Sequence, residues 1–325
     1  MDDSPQRPPE PFARRARRAS TGDHGVALPP FIDHHVHLHL VPGATLVAGG
    51  IAAVLDLGGD PIALARRAAQ GFPHVAFAGA FLTAPGGYPA DRSWAPPAIV
   101  REVSSASLHP GAPGGAATAV DEQASCGASV VKVALHADAG PVFDAATLGA
   151  VVAAARERGL PVVAHVEGEG MLRLALDAGV DALAHTPFTE VAAPDLIARA
   201  VASGQRWITT LDIHRDSPAV QARAVDNLRA FAAAGGAVLY GTDLGNGDLP
   251  AGVNAREVAA MVQAGLSPAA IIRAFTDPWP TPDVPSGVST FVPGDPPDAD
   301  ADADLPDWLA GAVVVPTEEL IHDEY

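Results

Sequence analysis

Cysteine occurs once in the 325 residues, at Cys126, and lysine once, at Lys132, although Lys and Arg together number 20. A single cysteine excludes an intrachain disulfide framework and fits a reducing compartment, and we read Cys126 as a small core residue rather than a nucleophile. Long apolar runs are also missing: none approaches the roughly 18 residues needed to cross a bilayer. The first residues, MDDSPQRPPEPFARRARRAS, carry arginines but no apolar core of the kind a secretory signal has. The expectation is a cytoplasmic protein that does not enter a membrane. Positive charge is scarce as well, and a net charge of −18 argues against a general nucleic-acid-binding surface, which would present a basic face to phosphates.

What the chain does have is apolar content: 48% of its residues are hydrophobic, enough for one large core. Residues 1–27 contain no run that reads as a strand, and the patch Arg14, Arg15, Arg17 and Arg18 reads as part of a disordered arm. Residues 277–325 read as an extension with two remnant strands, GVSTFVP and LAGAVVVP, around an acidic loop, GDPPDADADADLPDW (294–308). Because that loop has few apolar groups to offset the entropy of ordering it, deleting 295–305 is expected to change stability by less than about 1 kcal/mol, checked by denaturant unfolding.

Between these ends one pattern recurs: an Ala-rich helical stretch, a Gly, a short apolar strand, then a polar residue. It appears in VVAAARERGLPVVAH, LRLALDAGVDALAH, LIARAVASGQRWITT and LRAFAAAGGAVLYGTD. Successive pairs of this kind imply a parallel sheet. With FIDHHVH (31–37), IAAVLDL (51–57), VAFAGAF (75–81) and SVVKVAL (129–135) the strands number eight, which predicts an α/β protein with a (β/α)8 TIM barrel over residues 28–276. A doubly wound open sheet is the competitor, but histidines follow the first strand where a glycine-rich phosphate turn would be expected. LTAPGGYPADRSWAPP (82–97) reads as a long loop shaping a pocket at the strand exits.

The first strand, in PPFIDHHVHLHL, holds four histidines. A period of two puts His35, His37 and His39 on one face with Phe31 and Asp33, and His34 on the other. Two imidazoles at i and i+2 converge as metal ligands can, while His34 reads as structural and His39 fits either role. His165 ends PVVAH, His185 ends DALAH and Asp243 ends VLYGTD, so the strand ends deliver further donors to one rim. Lys132 sits inside VVKVAL, where burial makes an ammonium costly. At about 4 Å from a divalent ion it would be repelled by roughly 8 kcal/mol at an effective dielectric of 20. Carboxylation by CO2 would turn it into an anionic bridge.

These positions, in this order, resemble the metal-dependent amidohydrolase superfamily with a binuclear centre and a carboxylated lysine. The finer resemblance is to its imidazolonepropionase-like and prolidase-like branch, carried by GIAAVLDLGGDP, FLTAPGGYP and AHVEGEGMLRLALDAGVDALAHTPF. The resemblance implies that His35, His37 and Asp243 hold one metal, His165 and His185 the other, and that Lys132 bridges them, with zinc as the expected ion. It implies hydrolysis of C–N bonds in a small molecule such as a dipeptide, an N-acyl amino acid or a cyclic amide by a metal-bridging hydroxide, with Asp243 moving the proton. Tyr88, His136 and His214 are candidates for gripping the substrate, and Tyr88 stands where relatives often place a histidine. The family's β-sandwich, made from both chain ends, is expected to be vestigial. Lactonase, phosphoesterase or deaminase chemistry on the same site, a non-catalytic metal-binding barrel, and homo-oligomerisation all stay open.

Overall fold

The computed structural model describes residues 13–41, 43, 45–68, 73–281, 285–298 and 302–322. Two short strands, β1 (Arg14–Arg18) and β2 (His24–Leu28), precede the histidine-bearing strand β3 (Phe31–Val36). There follow β4 (Ile51–Asp56), β5 (His74–Phe77), β6 (Phe81–Thr83), β7 (Val100–Glu102), β8 (Val131–His136), β9 (Val162–Glu167), β10 (Ala182–Leu183), β11 (Arg206–Ile208) and β12 (Ala237–Leu239). The later strands are β13 (Val288–Pro293), β14 (Val313–Pro316) and β15 (Leu320–His322).

The result is a mixed α/β molecule. Strands β3-β4-β5 form one parallel sheet, and β12-β11-β10-β9-β8-β6-β7 form another of seven strands, also parallel. Hydrogen bonds join the two sheets at both margins. The His34 N–H donates to the Tyr240 carbonyl at 2.9 Å and the His37 N–H to that of Leu244 at 2.8 Å, while the Ser129 N–H donates to Phe77 O at 2.8 Å.

The four helix and strand repeats read from the sequence are helices Ala145–Glu157, Met171–Ala178, Pro194–Ala202 and Pro218–Ala233, each followed by its strand, β9 to β12. Local chemistry sets their ends. The Asp144 carboxylate caps the first by accepting from Thr147 N, and Gly179, at φ 77, closes the second in a left-handed conformation that a side chain would resist. The period of two then decides what each strand offers to which side. On β8, Val131, Val133 and Leu135 pack with Leu148 and Val151 of the first helix, so Lys132 lies on the opposite face. On that face Leu55, Ala76, Val163, Ala182, Ile208 and Leu239, from six different strands, form a second apolar layer.

Both chain ends depart from the expectation. Residues 14–18 and 24–28 are strands rather than an arm, and with β13, β14 and β15 they make a five-stranded antiparallel sheet in the order β14-β13-β2-β1-β15. The sequence pattern hid β1 because only Ala16 turns inward, against Ala27, Phe291 and Val315. The arginines point outward instead, Arg18 to Glu319 at 3.3 Å and Arg15 to Asp295. The first twelve residues of the expected arm lie outside the described residues. Beyond β6, the expected loop starts at Ala84, and β7 adds a short strand that the sequence did not announce.

The acidic stretch differs too: residues 299–301 lie outside the described residues, but Leu305–Ala310 is a helix. Leu305 and Leu309 pack with Val258 and Met261 of helix Ala255–Gln263, so the deletion 295–305 would remove a core side chain. Leu309 is 0% exposed. Leu309→Ala is therefore expected to cost about 2–5 kcal/mol in denaturant unfolding; a loss under about 0.5 kcal/mol would mean this helix is not part of the folded body.

Candidate metal centre and substrate cavity

Strand β3 and the residue just past it deliver His35 and His37 side by side, because residues two apart along extended backbone point alike. Both are buried, and each ring is oriented by a backbone carbonyl. His35 Nδ1 lies 2.8 Å from Ala184 O and His37 Nδ1 lies 3.1 Å from Gly58 O. A carbonyl can only accept, so both rings carry their proton on Nδ1 and turn the Nε2 lone pair inward. His185 has its Nδ1 2.9 Å from Thr210 Oγ1.

The two inward nitrogens of β3 meet one oxygen. His35 Nε2 and His37 Nε2 each lie 3.2 Å from Asp243 Oδ1, and His35 Nε2 and Asp243 Oδ1 are buried without a hydrogen bond. Acceptors facing each other in a dry site are costly unless a cation stands among them. Burial lowers the His37 pKa, but the adjacent Asp243 carboxylate outweighs it and raises it. A proton is thus one way to fill the gap, and a divalent ion held by two imidazoles and a carboxylate is the other. Burial holds His35 and His185 well below the usual range, as neutral ligands. It pushes Asp243 upward, yet His35 and His37 oppose it and keep Asp243 well below an ordinary carboxylate.

Lys132, 1% exposed, lies beneath this group. Burial pushes its amine down to about 7 against the opposing charges of Asp243 and Asp56, so its neutral form, the form that reacts with CO2, is accessible. The ring centres of His35 and His185 are 4.7 Å apart, and those of His185 and His165 are 4.9 Å apart, which makes the imidazoles one continuous cluster.

Several contributors were not singled out from the sequence. Glu167, at the end of β9, accepts from His165 Nε2 at 3.0 Å and approaches His136 Nε2 at 3.1 Å. Burial raises its pKa, but the hydrogen bond from His165 and the nearby imidazoles outweigh this and keep it low. Donor atoms of His136, His165 and Glu167 converge within 4.8 Å, as do those of His35, His37 and Asp243. His185 belongs to neither tight group of His, Asp and Glu donors among the described residues. The expected pairing of His165 with His185 is therefore a contact of rings, while the Nε2 of His165 serves Glu167 and leaves Nδ1 as the nitrogen available to an ion. The signal for Glu167 was present: it stands two residues after His165, the same spacing as His35 and His37. Asp56 is likewise buried at the end of β4, accepting from Leu38 N at 2.7 Å and Gly58 N at 3.0 Å.

The remaining histidines divide as follows. His34 is structural, its ring nitrogens 2.8 Å from Tyr240 O and 3.0 Å from Asp277 O. His39 stands 6.0 Å from the His37 ring, outside the cluster. His214 lies in a short 3-10 turn with its ring 4.2 Å from Phe188, and burial pushes it down to about 4. Tyr88 stacks on His165 at 5.2 Å, and burial raises its phenol. Tyr88 and His214, with the metal-ligand candidates, line a cavity of about 460 Å3, a size suited to a small molecule.

No protein-family model matches the chain, and no curated protein does. Solved structures do. A Xaa-Pro dipeptidase with methionine bound in its active site aligns at TM-score 0.67 and 19% identity over 91% of this chain and 87% of that one. Ochratoxinase of A. niger aligns at 0.69 and 19% over 88% and 81%, and a putative prolidase from Bifidobacterium longum at 0.68 and 21% over 91% and 80%. The chain has the fold of these prolidase-like amidohydrolases.

Orientation of His185 by the Thr210 hydroxyl generates a test. Thr210→Val keeps the shape and the β-branch but removes the hydrogen bond, and zinc affinity, read by competition with a chromophoric chelator, is expected to fall about 10- to 100-fold. Unchanged affinity would remove His185 from the ligand set.

Proposed function

We propose that the chain is a metal-dependent hydrolase of C–N bonds in small amides, built on a closed (β/α)8 barrel. The closure is supported by the hydrogen bonds at both margins of the parallel strands, which link β3 to the segment after β12 and β5 to the segment before β8. One observation carries the chemistry: two buried imidazole lone pairs and the Asp243 carboxylate converge without donors between them, at strand ends, beside a buried lysine. The named neighbours, a dipeptidase, ochratoxinase and a putative prolidase, support a hydrolytic reading of that site.

In this reading His35, His37 and Asp243 would hold one divalent ion, His165 and His185 a second, and Lys132, once carboxylated by CO2, would serve both, with zinc the ion that suits imidazole and carboxylate donors. Bound ions would polarise the scissile carbonyl and make water nucleophilic near neutral pH. Asp243 takes the proton of the attacking water and hands it to the departing nitrogen. Asn246 Nδ2 donates to Asp243 Oδ2 at 2.9 Å and so fixes the carboxylate plane. Tyr88 and His214 orient the amide from the cavity wall, and His136, which does not line the cavity, acts through its contact with Glu167. The cytoplasm, where a lone Cys126 stays reduced, is the proposed location.

Two measurements test this. Protein purified without chelator, and supplied with zinc and bicarbonate, should carry about two ions per chain by elemental analysis, and Lys132→Ala far fewer; one ion or none in the wild type would remove the binuclear centre. Asp243→Asn keeps an oxygen for a metal but loses the base, so amide turnover should fall at least about 10²- to 10⁴-fold while most metal stays bound. An activated ester, whose leaving group needs no proton, should suffer less. Equal losses for amide and ester would make Asp243 a ligand only, and turnover of esters or phosphoesters but no amide would favour the rival chemistry.

A further inference from the structure

The charges that line the cavity are unevenly distributed. Asp243 and Lys132 are engaged in the metal reading above, and among the described residues that leaves Glu167 as the one formally charged side chain on the wall. Its described hydrogen-bond and ion-pair contacts, to His136 and His165, both use Oε2. Oε1 is left to the cavity, on a side chain 24% exposed. Among the described residues no arginine lines the wall. Arg92 is exposed and 5.7 Å over the Tyr88 ring, and Arg215 is tied to Asp212 and to the Asp248 carbonyl.

The rest of the wall beside Glu167 is aromatic. Tyr88 and Trp94 have ring centres 6.0 Å apart, as do Trp94 and Phe81. Aromatic faces attract cations through their quadrupole, and a carboxylate attracts them directly. Away from the ions of the hydrolase reading, a free carboxylate on the substrate would meet Glu167 with no guanidinium among the described wall residues to pair with it, in a protein whose net charge of −18 already repels anions.

We propose that Glu167, with the Tyr88 and Trp94 rings, makes this cavity select amides bearing an ammonium or related cationic group and reject those bearing a free carboxylate. The proposal rests on the hydrolase reading for the nature of the scissile bond. Charge selection itself is a binding property and can be measured without turnover. Glu167 acts here as a specificity residue, and its bond to His165 gives it a positioning role as well, so the informative quantity is a ratio between ligands rather than an absolute rate.

The experiment uses zinc-loaded full-length protein and three ligands of one skeleton: 4-(aminomethyl)benzamide, benzamide and 4-carboxybenzamide, titrated calorimetrically at pH 7. The cation should bind at least about tenfold more tightly than the anion, with benzamide between. Glu167→Gln should bring the two ends of that series within about threefold, and Glu167→Asp, which keeps the charge, should preserve the order; this second variant also serves if the first fails to load metal. Equal affinities, preference for the anion, or no measurable binding of the cation overturns the proposal, and an anion preference lost in Arg92→Gln would assign recognition to Arg92 instead. Hydrolysis of the neutral benzamide, followed separately, reports on the hydrolase reading alone.

Discussion

The candidate metal centre rests on one buried carboxylate whose own oxygens meet none of the imidazole rings. Asp33 accepts from the His35 N–H at 3.0 Å and from the Thr242 N–H at 3.0 Å, and its second oxygen accepts from the Thr242 hydroxyl at 2.6 Å. Burial pushes its pKa up to about 7 despite these bonds. The three donors nonetheless weld the strand that bears His35 and His37 to the residue preceding Asp243, across 209 positions of sequence. Neutral or ionised, Asp33 fixes the distance on which the inward lone pairs converge. The close approach also requires a glycine: a Cβ on Gly241 would come within 2.3 Å of Ile208 and 3.2 Å of His35.

The backbone at this rim is held in conformations that ordinary residues avoid. Asp243 has φ 57 and Thr210 φ 47, both in the left-handed region, and each presents a polar side chain to the cluster. For Thr210 the β-branch makes this costlier still. The surrounding hydrogen bonds stabilise the arrangement: Thr210 N donates to Gly241 O at 3.0 Å, while Glu257, fully buried, accepts from Leu211 N at 2.9 Å and Asp212 N at 2.7 Å immediately beyond it. Strain at these two positions of the candidate site, with regular parallel strands behind them, is the division of labour expected of a site on a rigid scaffold.

How much of this could be read beforehand follows from which signals are periodic. Alternation along β3, β8 and β9 separates inward from outward residues without ambiguity, so His35, His37, Lys132 and His165 were legible as a set. The Gly-terminated helices made the order of parallel strands legible too. Glu167 escaped because a carboxylate just past PVVAH, where the apolar run stops, resembles a solvated loop residue until His136 and His165 are seen to aim at it. Strand β1 escaped for the opposite reason: a strand that buries a single alanine among four arginines has no apolar alternation to detect, and its pairing with β2 and β15 is set by backbone bonds and by acids 280 and 301 positions away in sequence. The helix Leu305–Ala310 was masked by the aspartates that precede it, although Leu305 and Leu309, four apart, already mark one buried face.

The terminal sheet is small, but its position gives it a part in the chemistry. Thr290 of β13 is fully buried, and its hydroxyl accepts from the Phe31 N–H at 2.9 Å while donating to Gly50 O at 3.2 Å. One side chain thus ties the first residue of β3 and the residue before β4 to the antiparallel sheet. Phe31 in turn stacks on Phe275 at 4.5 Å, and Phe275 on Tyr240 at 3.8 Å, so the base of β3 is held from the sheet side and the helix side together. Because β3 is short and its pairing with β4 is irregular between Asp33 and Val36, the ladder alone would leave the histidine end free to shift. Anchoring the strand at Phe31 and again at Asp33 leaves only the turn beyond Val36 to adjust, and that turn is held in its place by the His37 N–H and the Asp56 carboxylate. The sheet made by the two chain ends therefore does for the start of β3 what Asp33 does for its middle: it makes the spacing of His35 and His37 a property of the whole fold rather than of one strand.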